Sequence, residues 1–460
     1  MLGNFEIQST FKTIITMENQ EITVVNRISH WLKTSLLVKL ASMGFIIILL
    51  LIPNAMIQDM IRERQERQNA AISEISQSWG GAQSVAGPVL TIPYEEITVF
   101  EGKKTIMVWT AHFLPDELKV EGSLAPEVRR RSIYDAILFQ SDLIVSGSFK
   151  QPDFRLLNID PKRVLWDQAK LSVGISGMAG IKSILNLDWN GSTQRMEPGS
   201  ACPQLINSGV SAPVVLKDET YRFSIPVKLN GSGAIQFQPV GKETRVNLKS
   251  TWPSPGFSGG FLPDSRTIGA SGFDASWQIL DLNRNYPQQW KSSDFKFDEG
   301  TAFGVSLIQP VDEYAKNTRS AKYAILVIGL TFLTYFFFEV LRRFHIHPFQ
   351  YLLVGLALSV FYLLLISLSE HIGFDKAYFA AAVATISLIT VYSASVLQIR
   401  RLAIQLGLIL SGIYGFIFVV LQLEDFALLV GSLGIFIALA LVMYHSRKVD
   451  WYAINDLKMS

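Results

Sequence analysis

One cysteine, Cys202, stands in 460 residues, so no intrachain disulfide can form whatever the redox state of the compartment. Charge is equally sparse: 17% of residues are Asp, Glu, Lys or Arg, against 49% hydrophobic. That balance is too apolar for an ordinary soluble chain. The net charge of +2 lacks the basic excess that phosphate backbones select, so no nucleic-acid partner is expected. Nor does the sequence carry a nucleotide-binding glycine loop, HExxH, paired CxxC or a nucleophile elbow in a strand or helix context. Catalysis, a cofactor and a metal are therefore not expected.

What the chain has instead is long apolar runs. A hydrocarbon layer of about 30 Å needs roughly 20 consecutive apolar residues as a helix. Four windows are free of acidic and basic residues: Tyr351 to Leu368, Ala377 to Leu397, Leu402 to Gln422 and Phe426 to Tyr444. Tyr323 to Leu341 contains one charge, Glu339, near its end, and Leu40 to Ile57 is interrupted only by Pro53 and Asn54. This first run follows a long polar segment and leads into Asp59, Arg62, Glu63 and Arg64 without a small-residue cleavage site, so it reads as an uncleaved anchor and not a signal peptide. Six spanning helices follow.

Their orientation comes from the loops, because Lys and Arg favour the cytoplasmic side. Arg342 and Arg343, Arg400 and Arg401, and Arg447 and Lys448 share one side, and Lys33 and Lys39 before the first span agree. The other side receives Glu370, Asp375 and Lys376, and Glu424 with Asp425. Both termini are then cytoplasmic, and residues 58 to 320 are translocated. The expected division is a cytoplasmic segment (1–39), a first transmembrane helix (40–57), a juxtamembrane helix (58–81), an external β domain (82–320), a five-helix bundle (321–445) and a cytoplasmic tail (446–460).

Apolar residues at Ile57, Ile61, Ile72, Ile75 and Trp79 suit a helix continuing from the anchor until Gly80 and Gly81 stop it. Short apolar runs broken by Gly, Pro and Asn then predict strands. Arg222 to Val240 reads as a hairpin turning at Asn230-Gly231, and Asn190-Gly191 marks another turn. Val246, Leu248, Ser250 and Trp252 alternate with Arg245, Asn247 and Lys249, as in a strand with one buried face. Thr105 to Phe113 and Leu143 to Phe149 are further strands. The fold class expected is a multi-domain membrane protein: six transmembrane helices with a large all-β, sandwich-like external domain, in one or two lobes, between the first helix and the rest. Phe113-Leu114-Pro115-Asp116 recurs as Phe261-Leu262-Pro263-Asp264. Chance suffices for that, since the chain offers about 10⁵ pairs of positions against roughly 1.6 × 10⁵ tetrapeptides.

Candidate interaction or coupling residues are few. Arg129, Arg130 and Arg131 form a run suited to an anionic surface, although charges on a strand edge also block unwanted pairing. Glu339 is ionisable within a span, and a local salt bridge to Arg342 or Arg343 accounts for it. Ser369, Glu370 and His371 offer hydrolase residue types at a helix end, where an exposed pair needs no catalytic role. His345 and His347 read as interfacial histidines and not as metal ligands. Asp312, Arg319 and Lys322, with Lys316, place charge at the junction between β domain and bundle. Gly407, Ser411 and Gly415 line one helix face as a packing seam.

The junction and bundle are distinctive as strings: Pro310-Val311-Asp312-Glu313-Tyr314, Lys322-Tyr323-Ala324, Phe336-Phe337-Phe338-Glu339, His347-Pro348-Phe349-Gln350-Tyr351-Leu352-Leu353-Val354-Gly355, Phe361-Tyr362-Leu363-Leu364-Leu365 and Ser369-Glu370-His371-Ile372-Gly373-Phe374. With Gly87-Pro88, Ser141-Asp142-Leu143, Trp252-Pro253-Ser254-Pro255 and Gly272-Phe273 in the external domain, the chain resembles the CreD family of inner-membrane proteins. That resemblance implies a bacterial inner (plasma) membrane with the β domain in the periplasm, a link to cell-envelope integrity and to a carbon-source-responsive two-component system, with connections to colicin tolerance and β-lactam response. It implies no catalytic residues. The expected function is therefore a non-enzymatic envelope or stress-response protein whose β domain engages an envelope component, with membrane lipid and that component or protein as partners. The alternative is a transporter or channel for a small envelope molecule, favoured by a bundle larger than anchoring needs.

Overall fold

The computed structural model describes residues 36–100, 103–217, 219–291, 299–308, 313–342, 346–423 and 426–447. They form two compact units, one holding residues up to Glu66 and from Asp312 onward, the other Arg67–Val311.

The first unit is helical. Helix α1 (Leu36–Ser78), whose residues from Arg67 onward belong to the second unit, runs through Pro53 without breaking. It is followed by α2 (Glu313–Lys322), α3 (Ala324–Arg342), α4 (Pro348–Ile372), α5 (Phe374–Leu397), α6 (Arg400–Gln422) and α7 (Ala427–Ser446). Among the described residues, six spans are long and apolar enough to cross a membrane, α2 and α3 together making one of them. Helix α4 is the centre: Tyr351, Val354, Gly355, Leu358, Tyr362, Leu365 and Ser369 recur at helical spacing and are all buried. Gly355 is required by a close approach, because a Cβ there would lie 2.1 Å from Leu50 of α1. Helix α7 is the opposite case, with none of its span buried within the chain. The expected seam on α6 holds only at Gly407, where a Cβ would meet the Thr390 hydroxyl; Ser411 is exposed and Gly415 faces open space.

The second unit is built on strands β1 (Gln83–Phe100), β2 (Lys103–Phe113), β3 (Glu117–Arg131), β4 (Tyr134–Lys150), β5 (Lys170–Ile175) and β6 (Asn186–Trp189). Next come β7 (Ser192–Arg195), β8 (Glu197–Pro198), β9 (Gly209–Pro213), β10 (Thr220–Ser232), β11 (Ala234–Phe237) and β12 (Glu243–Ser250). The last are β13 (Pro255–Gly259), β14 (Ser265–Gly269), β15 (Gly272–Leu280), β16 (Gln289–Lys291) and β17 (Phe303–Leu307). One sheet has the order β13-β17-β11-β1-β5-β9-β8, with β2 on β1 and β16 on β2; the other is β14-β15-β12-β3-β4-β10-β6-β7. Alternating residues of both sheets, among them Ile92, Phe139, Leu171, Val227, Val246, Trp277 and Phe303, enter one continuous apolar cluster. The domain is a sandwich with a single core and not two lobes.

The Asn190-Gly191 turn is present, both residues having positive φ between β6 and β7. The hairpin expected at Asn230-Gly231 is not. Those residues continue β10, opposite Gln140 and Phe139 of β4. Gly231 is small because the Phe139 ring presses on its backbone, 2.3 Å from where a Cβ would sit. The chain changes sheets two residues later at Gly233, whose φ of 70° a side chain would disfavour. The repeated tetrapeptide also has a structural meaning. Each copy is the corner where the chain leaves the first sheet and enters the second. Asp116 donates its N–H to Ser148 O and accepts the Lys150 N–H on Oδ2, 2.9 Å for each; Asp264 does the same with Ser276 O, 2.9 Å, and the Gln278 N–H, 2.6 Å.

Candidate functional site

The polar side chains of the helical unit concentrate at the two ends of α4, about 30 Å apart along its axis at 1.5 Å per residue. At the N-terminal end the Glu339 carboxylate, 4% exposed, is the focus. Lys39 of α1 reaches it at 2.6 Å, the backbone N–H of Ile346 donates at 3.0 Å, and the Tyr351 hydroxyl donates at 3.2 Å. A buried carboxylate is tolerated only when charge and lone pairs are answered in this way. The Ile346 N–H is itself an orphan of the α4 start, where His347 caps the helix by accepting the Phe349 N–H on Nδ1 and Gln350 closes the box. Glu339 thus joins α1, α3 and α4. The local pair with Arg342 expected from spacing is replaced: Arg342 is exposed, and the partner comes from the far end of the sequence.

At the other end α2 lies on the bundle through Tyr314, Asn317, Ser320 and Ala321. Glu370 accepts the Tyr314 hydroxyl at 2.9 Å and pairs with Arg64 of α1 at 3.5 Å. Asn317 donates to the Ser369 hydroxyl at 2.9 Å and to Glu313 O at 3.0 Å, and Ser369 donates to Ile366 O. Lys316 donates to Gln422 of α6 at 3.2 Å, which in turn donates to Asp375 of α5 at 2.6 Å. Helix α2 is therefore tied to α4, α5 and α6. Ser369 is buried and committed to helix-to-helix bonds, and His371 is exposed, so the hydrolase residue types at 369–371 are not assembled as a nucleophile and base. Among the described residues no three His, Cys, Asp or Glu side chains cluster as metal ligands.

Between these ends the interior is not plain hydrocarbon. Tyr335 and Ser393 share a hydrogen bond between their hydroxyls, and Tyr351 packs against both Phe332 and Tyr335. Phe361, Tyr362, Tyr378 and Tyr414 form an aromatic cluster in which Tyr378 donates to Tyr414 O at 2.8 Å. The hydroxyls of Thr390 and Tyr414 are buried without a partner.

Arg319 is half-buried and Lys322 exposed on α2; Asp312, Arg343, His345, Glu424, Asp425 and Lys448 lie outside the described residues. In the β unit the three arginines are exposed, and each has a partner within the unit. Arg129 lies 4.0 Å over the Trp79 ring and pairs with Glu127, Arg130 clasps Asp135 across the hairpin at 2.8 Å, and Arg131 reaches Glu74 at 2.9 Å. The Arg130 guanidinium holds the Asp135 carboxyl below its ordinary range. Arg129 and Arg131 join the tip of β3 to Trp79 and Glu74 of the same unit, and Arg130 closes the hairpin. Cys202 is fully buried, and burial pushes its thiol up to about 11. Sequence reasoning missed Lys39, Arg64, Tyr314, Asn317 and Tyr351 as partners in these clusters; only the position of Tyr314 and Tyr351 within the distinctive strings hinted at them.

The family profile described as Inner membrane protein CreD matches residues 35–452. The Inner membrane protein CreD of Escherichia coli (strain K12) is 34% identical over 436 residues, covering 93% of this chain and 96% of that protein. With its six apolar spans and its β domain between the first and the rest, the chain belongs to the CreD family of inner membrane proteins.

Proposed function

We propose that the protein is a non-catalytic support of the bacterial cell envelope, with its β domain in the periplasm engaging an envelope component and both termini in the cytoplasm. The observation that carries this reading is the use of Ser369, Glu370 and Glu339: each is spent on joining helices, and none is left as an activated group. The charge balance of the loops favours the orientation, Arg342, Arg400, Arg401 and Arg447 marking the cytoplasmic side. Because Cys202 is buried it is a poor topology reporter; cysteines replacing exposed Arg222 and exposed Arg447 are better. An impermeant thiol reagent admitted through the outer membrane should label the first and spare the second until the inner membrane is opened.

The functional test is crosslinking in the intact envelope followed by identification of what the β domain captures. Saturable hydrolysis by the purified protein, abolished by Glu370→Ala or His371→Ala, would overturn the non-catalytic reading. Transport is a second reading, favoured by the unpartnered Thr390 and Tyr414 hydroxyls inside the bundle. Flux of a small solute in proteoliposomes that falls with Tyr414→Phe would support it.

A further inference from the structure

The outward face of the second sheet carries charges on alternate residues, and most are answered by a neighbour on that face. Lys119 pairs with Glu121 at 2.6 Å, Arg245 with Glu243 at 2.5 Å, Lys228 with Asp142 at 3.2 Å and Lys249 with Asp274 at 3.2 Å. Glu117 of β3 and Arg222 of β10 break the pattern. Both are exposed, and among the described residues neither side chain has an ion pair or a hydrogen bond. Neither strand is at a sheet edge, so protection against stray strand pairing does not explain them.

Their spacing is set by the sheet. Glu117 and Arg222 both stand opposite Ser148 of β4, one from each side. Neighbouring strands lie about 4.8 Å apart, so the two Cα atoms are about 10 Å apart across a residue too small to fill the space. The result is a cleft of about 410 Å³, floored by Ser146 and Ser148, with Thr220 and Arg222 on one wall and Glu117 and Glu243 on the other. The hydroxyls of Ser148 and Thr220 are likewise uncommitted among the described residues.

A plain anion entering this cleft meets the carboxylates of Glu117 and Glu243, and a plain cation meets Arg222. A ligand with one charge of each sign at its two ends answers both. Arg222 offers a planar fork that matches a carboxylate, and Glu117 accepts the N–H groups of an ammonium. In a free α-amino acid the two charges sit on one carbon, too close together to reach both walls. In a dipeptide a peptide unit separates them, and its polar groups lie over the Ser148 hydroxyl. We infer that this cleft binds a zwitterionic dipeptide, its C-terminal carboxylate on Arg222 and its N-terminal ammonium at Glu117.

The site stands apart from the envelope-support reading, which crosslinking in the envelope tests; here the purified full chain in detergent is titrated with L-alanyl-L-alanine and followed by calorimetry. Binding should saturate. Glu117→Gln and Arg222→Gln should each weaken it about tenfold, the loss of one charge-assisted contact, and leave the melting temperature unchanged. Blocking a terminus should have the same effect as removing its partner. N-acetyl-alanyl-alanine should bind about tenfold less well and be indifferent to Glu117→Gln, and alanyl-alanine amide should behave likewise towards Arg222→Gln. Absence of saturable heat overturns the proposal, as does equal affinity for the dipeptide and both blocked forms. Sensitivity to only one of the two blocks marks a simple anion or cation site and overturns it too.

Discussion

Two buried titratable side chains are accommodated in opposite ways. The Glu339 carboxylate is met by the Lys39 ammonium, and removing one partner of a buried pair strands the other. Lys39 is a quarter exposed, so the cost falls below that of a fully buried pair: Glu339→Leu should lower stability by about 3 kcal/mol, and Glu339→Gln by less, since an amide oxygen can still accept the Ile346 N–H. Unfolding in detergent of Lys39→Met, Glu339→Gln and their combination gives the coupling; strictly additive costs would mean the ion pair contributes nothing. His112 stays neutral. It is fully buried between the Thr91 and Thr110 hydroxyls and against Trp290, and burial pushes its pKa down to about 4 from 6.5. Above pH 6.5 it costs nothing. As pH falls towards 4, the unfolded chain takes up a proton that the native state refuses, so stability is lost across that window. The loss should reach about 2–3 kcal/mol between pH 7.5 and 4.5. Urea titrations followed by tryptophan fluorescence should show it in the native protein, and His112→Gln should flatten it.

At the scale of elements, the corners and caps decide where the chain changes direction. The two Phe-Leu-Pro-Asp corners close through an aspartate that accepts a backbone N–H two residues beyond the carbonyl its own N–H bonds. Asp116→Ala and Asp264→Ala should each cost about 1 kcal/mol and raise hydrogen exchange at Lys150 and Gln278 respectively, while asparagine should largely preserve both. An unchanged exchange rate would mean that the proline alone shapes the corner. Legibility varied among elements for a physical reason. Asn190-Gly191 reads correctly because both residues need positive φ in a two-residue turn. Asn230-Gly231 misleads because its glycine answers a distant ring, Phe139, and not a local turn. Arg129 and Arg131 likewise meet Trp79 and Glu74, which lie some fifty residues earlier, whereas Arg130 takes the nearby Asp135.

For the whole molecule, the question is whether the junction transmits anything between β domain and bundle. Helix α2 is part of the bundle, held by Tyr314, Asn317 and Lys316. A Gly-Ser linker after Asn317 would therefore cut a packed helix, with loss of stability as well as of any coupling. Placed after Ile308, it lengthens the connection and leaves α2 whole. If the junction couples the two, this second variant should insert at normal abundance yet fail to restore the envelope phenotype of a deletion strain. Full complementation would leave the junction as an anchor.

Six spans, a β-rich insertion and the helix that ends at Gly80 and Gly81 followed from the sequence alone. Each depends on residues within a few positions or a single run of about 20: length against hydrocarbon thickness, alternation against a pleat, glycine against positive φ. Tertiary structure alone decided that Glu339 takes Lys39 as its cation, that Gly355 admits Leu50, and that β10 and β11 join different sheets. Those outcomes depend on which distant backbone passes close by, and a charge, a glycine or a strand carries no local mark of the partner that packing brings to it.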